Sequence, residues 1–246
     1  MATTRLVTFN VSMSSDRLQL RMRAVADLVA ALEPEVVALQ EVTHRSLRIL
    51  LEGEWFARSH FVPGPDEIDA LPRYFTMLFS QRPFELAERH RFKRSRMGRE
   101  LVVGRPEGRS LVVGTSHLES LPESSRERLR QLRWSLEHLA AYPQAVLMGD
   151  MNLIPEADGT IVPPEPWRDA WLEAGHAEEE GYTFDCERNP WAHEYRNRLD
   201  RVFCHLGPGW RVGGVRLIGT QELAGGIPPS DHFGLCCDLV EGQATA

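Results

Sequence analysis

Short apolar runs punctuate an otherwise mixed chain. "RLVTF", "EVVALQ", "FTMLFS", "ELVVG", "SLVVGTS", "AVLMG", "RVFCHL" and "GLCCDLV" have the length and β-branched content of strands rather than helices. Two longer stretches carry apolar residues at helical spacing instead. From Asp16 to Leu32, the positions Leu18, Met22, Val25, Val29 and Leu32 share one stripe, which ends ahead of Pro34. In the second, Leu129, Leu132, Leu136 and Leu139 line up before Pro143. Ser120 and Glu123 have the S-x-x-E spacing of a capping box and predict its start. Helices interleaved with many strands predict an α/β (α+β) domain in which helices cover buried sheet faces. Segments 60–73 and 159–166, broken by prolines and glycines, read as loops.

With 246 residues, 42% of them hydrophobic, the chain is expected to form a single domain spanning 1–246. "MATTRLVTFN" lacks a basic segment followed by a long apolar one, and no apolar run reaches bilayer length. A cytoplasmic protein with no membrane partner, monomeric, is the simplest expectation. Cys186, Cys204, Cys236 and Cys237 lack zinc-type spacing and read as reduced thiols. A net charge of −7 argues against gripping nucleic acid with the whole surface, yet permits a local basic patch beside an acidic pocket.

The chemistry concentrates where the predicted strands begin or end. Asn10 closes "LVTFN", Glu41 follows "VVALQ", His117 ends "LVVGTSH", and Asp150 and Asn152 close "AVLMGDMN". Asp200 sits in "RLDRVF", while Asp231 and His232 open "SDHFGL". Packed strands align their ends, so these groups are expected to converge on one pocket. Asp150 and Asn152, two apart on an extended strand end, are expected to face the same side. Hard oxygen donors without cysteine suit Mg²⁺ or Mn²⁺ rather than zinc. Such an ion, two imidazoles and two amides are what phosphate-ester hydrolysis needs. Neither a G-x-S-x-G nucleophile elbow nor a Walker loop is present, which favours direct attack by water.

Asn10, "LQE" (39–41), "SHLES" (116–120), "GDMN" (149–152), "RLDRVF" (198–203) and "SDHFGL" (230–235), in that order, resemble the endonuclease/exonuclease/phosphatase family. "YFTMLF", "YTFD" and "LDRVF" resemble its tyrosyl-DNA phosphodiesterase branch. The resemblance implies a DNase I-like four-layer αββα sandwich, two packed β-sheets flanked by helices. It further implies a metal-dependent phosphodiesterase that releases tyrosine from 5′ DNA ends. By the same resemblance Glu41 holds the metal with Asp231 and Asn10, Asp150 deprotonates the attacking water, and Asn152 donates to a phosphoryl oxygen. His232, oriented by Asp200, stabilises developing charge, and His117 donates to the scissile phosphate. Ser120, Phe184 and Arg198 fall on the substrate side.

Two departures touch the substrate rather than the metal. The branch has arginine where this chain has Ile154, and tryptophan where it has Phe184. A sugar, inositol or lipid head-group phosphate therefore stands as an alternative substrate, and a catalytically inactive DNA-binding relative as a rival of another class. The densest basic run, "RHRFKRSRMGR" (89–99), reads either as a single-strand contact or as a solvated hairpin edge. Arg126, Arg130 and Arg133 read first as the solvated face of the second helix.

Overall fold

The computed structural model describes residues 2–242. The first half runs β1 (Ala2–Asn10), α1 (Leu18–Leu32), β2 (Val36–Val42), α2 (His44–Leu50), α3 (Glu54–Ala57), β3 (His60–Val62), β4 (Phe75–Ser80), β5 (Phe84–Arg91), β6 (Glu100–Pro106) and β7 (Val112–His117). It continues with α4 (Ser125–Leu139), β8 (Ala145–Asp150), α5 (Pro155–Asp158), β9 (Arg168–Asp169), α6 (Ala170–Glu173), β10 (Phe184–Asp185), β11 (Arg196–Asn197), β12 (Asp200–His205), β13 (Trp210–Ile218) and β14 (Gly234–Glu241).

Two six-stranded sheets result, in the orders β13-β14-β1-β2-β4-β3 and β5-β6-β7-β8-β12-β9. Both are mixed: β1 with β2 and β7 with β8 run parallel, and their other pairings are antiparallel. Strand alternation explains how the sheets stack. Leu6, Ala38, Val113, Val146, Met148 and Val202 point between the sheets into one core. The intervening residues point outward: Val7, Phe9, Val37 and Leu39 meet α1, α2 and α3, while Leu101, Val103, Ala145 and Leu147 meet α4. The expected four-layer sandwich of two sheets flanked by helices is thus present. Among the described residues, no helix is long and apolar enough to cross a membrane.

Three local expectations change. The second helix begins at Ser125 after a 3₁₀ turn at Pro122–Ser124, without a side-chain cap. Ser120 is not a capping residue there. Buried Arg128 instead ties down the entry by donating to the carbonyls of Glu119 and Leu121 (2.9 and 3.0 Å) and pairing with Asp158. Segment 60–73 is not wholly loop, since it holds β3 and a 3₁₀ helix at Pro65–Ala70. β5 and β13 are strands although neither reads as an apolar run; both are sheet edges, where an exposed face tolerates charge.

Candidate active site at one end of the sandwich

The pocket grows out of the same alternation that builds the core. On the face between the sheets, Leu6 and Thr8 lead to Asn10, Val113 and Thr115 to His117, and Val146 and Met148 to Asp150. Cys204 and Val202 lead, in the opposite direction, to Asp200. Register then sets them side by side, since His117 pairs with Asp150 and Asp150 with Asp200. Gly149 lets β8 lie this close to β7. A Cβ there would stand 2.2 Å from the Ser116 carbonyl, and its φ of 145° also favours glycine.

Glu41 has the wrong parity for this face. A register irregularity between Leu39 and Val42 and a φ of 57° turn it toward the pocket. There Asn10 Nδ2 donates to Glu41 Oε1 (3.4 Å), and the Met13 amide donates to Oε2 (2.9 Å). Asn152 is not on an extended strand end as expected: β8 stops at Asp150, and Asn152 has a φ of 50°. Its N–H closes a turn onto Asp150 Oδ1 (3.0 Å), and Nδ2 donates to the Leu118 carbonyl (3.1 Å). The two residues are therefore coupled by a turn rather than by pleat.

Asp150 Oδ2 is the focus of the site. It accepts Asn10 Nδ2 (2.9 Å) and lies 3.3 Å from His117 Nε2 and 3.9 Å from His232 Nε2. Burial raises the Asp150 carboxyl to about 6, against the pull of the His232 charge. For His232 burial opposes protonation, yet Asp200 and Asp150 overcome it and raise the ring to about 10. Its Nδ1–H donates to Asp200 Oδ2 at 2.8 Å, so Nε2 faces the pocket on a cationic ring. His117 moves the other way. Burial, and then the charges of Arg99 and His232, hold it well below the ordinary histidine range.

The segment carrying Asp231 and His232 is anchored by buried Ser230, whose hydroxyl donates to the Asn10 carbonyl (2.7 Å) and contacts Asp231 Oδ1 (3.1 Å). Phe184 on β10 packs its ring edge-to-face with His232 at 5.2 Å, and Tyr195 lies 5.0 Å from Phe184. Ser120 Oγ donates to Met97 Sδ at 3.3 Å, on the loop between β5 and β6. Arg198 is not brought to the pocket. Its guanidinium, like that of Arg201, is buried against Asp169 and Glu178. The arginines flanking Asp200 in sequence therefore pair elsewhere and leave it to His232.

Some residues at the site were not singled out from sequence. Arg99 donates to His117 Nδ1 (2.8 Å) and lies over the Tyr74 ring at 5.4 Å, although in the sequence it is only one more charge in a basic run. Glu119 Oε1 accepts Ser95 Oγ and the amides of Arg96 and Met97 at 2.6, 2.9 and 3.2 Å, so it pins that loop. Burial, and then the charges of Asp150 and Asp231, raise the Tyr195 phenol. No sequence periodicity marks any of the three. Arg126, Arg130 and Arg133 are exposed, as a solvated face requires, with Arg130 near Glu127 at 3.4 Å.

Asp150, Asp200 and His232 place donor atoms within 4.8 Å of one another, a spacing that could hold a cation. Metal ligation requires a neutral imidazole, whereas His232 here is a cation with one N–H spent on Asp200. The hard-oxygen set better suited to a divalent ion is Glu41 with Asp231, both only part-buried at the pocket mouth. Asn10 does not present its oxygen to them, since Oδ1 accepts the Ser12 amide (3.0 Å) and Nδ2 faces Glu41 and Asp150. One or two carboxylates, with water and phosphate oxygens completing the shell, is the usual arrangement for a magnesium-type ion, so these residues fit one.

Two sheets back to back with an acid–histidine pocket at the strand ends define a class of phosphoesterase-type folds. The chain belongs to the endonuclease/exonuclease/phosphatase family, whose pattern matches residues 7–232. It is similar to tyrosyl-DNA phosphodiesterase 2 of Mus musculus, 30% identical over 97% of this chain and 66% of the relative. The Xenopus laevis protein of that name is 32% identical over 95% of this chain and 65% of its own length. The chain thus spans just under two thirds of these curated relatives. A D. rerio TDP2 complexed with single-strand DNA product superposes with a TM-score of 0.85 at 27% identity, covering 98% of this chain and 100% of that one.

Proposed function

We propose that this chain is a metal-dependent phosphodiesterase, one catalytic domain over 1–246, that hydrolyses 5′-phosphotyrosyl or related DNA-end phosphodiesters by in-line attack of water. The observation that carries this reading is the convergence of Asn10, His117, Asp150, Asp200 and His232 on one sandwich edge, at distances suited to proton transfer and anion binding. Likeness to tyrosyl-DNA phosphodiesterase 2 along almost the whole chain supports the substrate class.

In this mechanism Asp150 accepts the proton of the attacking water, its raised carboxyl being a competent base near neutrality. Asn10 and the Asn152 amide hydrogen-bond that carboxylate and hold its two oxygens in place. His232, kept cationic by Asp200, neutralises charge developing on a phosphoryl oxygen. His117 donates from Nε2, because Arg99 fills Nδ1 with a donated hydrogen bond. Glu41 and Asp231 would hold Mg²⁺ or Mn²⁺. When bound, that ion supplies charge neutralisation at the phosphate and the departing oxygen. The bond from phosphorus to the tyrosyl oxygen breaks as the water oxygen bonds to phosphorus. A phenol, with a pKa of about 10, leaves without needing full protonation. Phe184 and Tyr195 form the aromatic rim that would meet the substrate beside His232.

Incubating the protein with a 5′-tyrosyl oligonucleotide, with magnesium or with chelator, tests the reading. Metal-dependent tyrosine release without internal cuts is expected, and absent in Asp150→Asn. No release, with turnover of a sugar or inositol phosphate instead, would transfer the site to small phosphoesters. DNA binding without turnover of any phosphoester would make the chain a binding module.

A further inference from the structure

A second cluster of metal-ligating side chains lies away from the pocket, between the edge strand β5 and α4. Glu88 and His90 are two residues apart on β5 and share a face. His138, in the last turn of α4, comes to meet them. One donor atom from each lies within 4.8 Å of the others. His90 Nε2 is 2.8 Å from Glu88 Oε2, and His138 Nε2 is 3.8 Å from the same oxygen.

We infer that Glu88, His90 and His138 form a zinc-type divalent cation site that ties β5 to α4. Ligands at about 2.0–2.1 Å in a tetrahedral shell stand about 3.3 Å apart, and the observed 2.8 and 3.8 Å bracket that spacing. The donor set, two imidazoles and one carboxylate, is chemically unlike the oxygen donors of the pocket and suits zinc or cobalt rather than magnesium.

An independent observation concerns His138 itself. Its Nε2 is buried with no hydrogen-bond partner, an uncommon state for a ring nitrogen, and it is aimed at the shared carboxylate. The ring is held there by Trp134, stacked on it at 5.0 Å and 17°. His90 closes the other side at 4.4 Å between ring centroids. Glu88 and His90 remain about one third exposed, so solvent can complete the shell. Such a clamp would fix the β5–β6 hairpin, whose connecting loop leads to Arg99 beside His117.

Equilibrium dialysis against Zn²⁺ with excess magnesium, and visible spectra with Co²⁺, test this on the full chain. The wild type and Glu41→Gln are expected to retain a single ion with a tetrahedral Co²⁺ spectrum. His138→Gln and His90→Gln are each expected to lose at least about tenfold in affinity. His90 lies on the exposed edge, so its variant keeps the test open if His138→Gln misfolds. Absence of retained ion in the wild type overturns the inference, as does undiminished binding in folded His90→Gln. Loss in Glu41→Gln alone would assign the ion to the pocket and likewise overturn it.

Discussion

Arg99 Nη1 donates to His117 Nδ1 across 2.8 Å, which makes Nδ1 an acceptor and leaves the proton of the neutral ring on Nε2, the nitrogen 3.3 Å from Asp150. The tautomer of a pocket histidine is thus set by an arginine from a different strand hairpin. Arg99→Gln is expected to lower kcat by about 10–100-fold with a smaller change in KM, because it disorients a donor rather than removing it. In the His117→Ala background the same substitution should cost much less. A full additional loss in the double variant would mean that Arg99 acts on substrate directly.

The pocket also predicts a pH profile. Asp150, the proposed base, must be deprotonated to act, so activity should fall as pH drops through about 6. In the proposed mechanism His232 acts as a cation, so activity should persist to alkaline pH and fall as pH rises through about 10. Asp200→Asn removes the largest favourable charge at His232, and the alkaline limb should move down toward neutrality. A log kcat/KM profile of both proteins checks the sign; an unmoved limb would detach His232 from turnover.

Glu119 bears on the pocket through the 92–99 loop. Glu119→Ala leaves the Ser95 hydroxyl and the amides of Arg96 and Met97 without their acceptor, a loss of about 1–3 kcal/mol in local stability. Amide exchange should quicken at Arg96 and Met97, and kcat should drop as Arg99 loses its place. Protected amides in the variant would argue that another group holds the loop.

Arg21 is buried on α1 and donates to the carbonyls of Val11, Ser14, Asp16 and Pro229, so it stitches the segment after β1 to the segment before Asp231. Arg21→Leu would leave the Val11 and Pro229 carbonyls buried and unmet, and should destabilise the fold by about 3 kcal/mol or more. Urea unfolding measures this as a lower midpoint at unchanged slope. A near-wild-type midpoint would mean that the carbonyls find other donors.

The apolar central strands were legible because each buries both faces, outward against helices and inward against the other sheet, and leaves an apolar run dominated by Val, Leu and Phe. α1 was legible for a similar reason, its stripe ending before Pro34. The edge strands β5 and β13 were not. With one face in solvent, "FELAERHR" and "WRVGGVRLI" satisfy their geometry with mixed residues that any loop could carry.

By itself the sequence determined which side chains reach the candidate pocket. Strand parity is local, so Asn10, His117, Asp150 and Asp200 are committed to the inter-sheet face as soon as their strands form. Only the tertiary structure decided how each behaves there. The irregularity in β2 turned Glu41 against its parity, and a left-handed turn rather than pleat coupled Asn152 to Asp150. Sheet packing set Asp200 against His232 and sent its sequence neighbour Arg198 to Asp169. Charge and protonation depend on neighbours brought together from distant parts of the chain and on the water they exclude. No local pattern of residues carries that information.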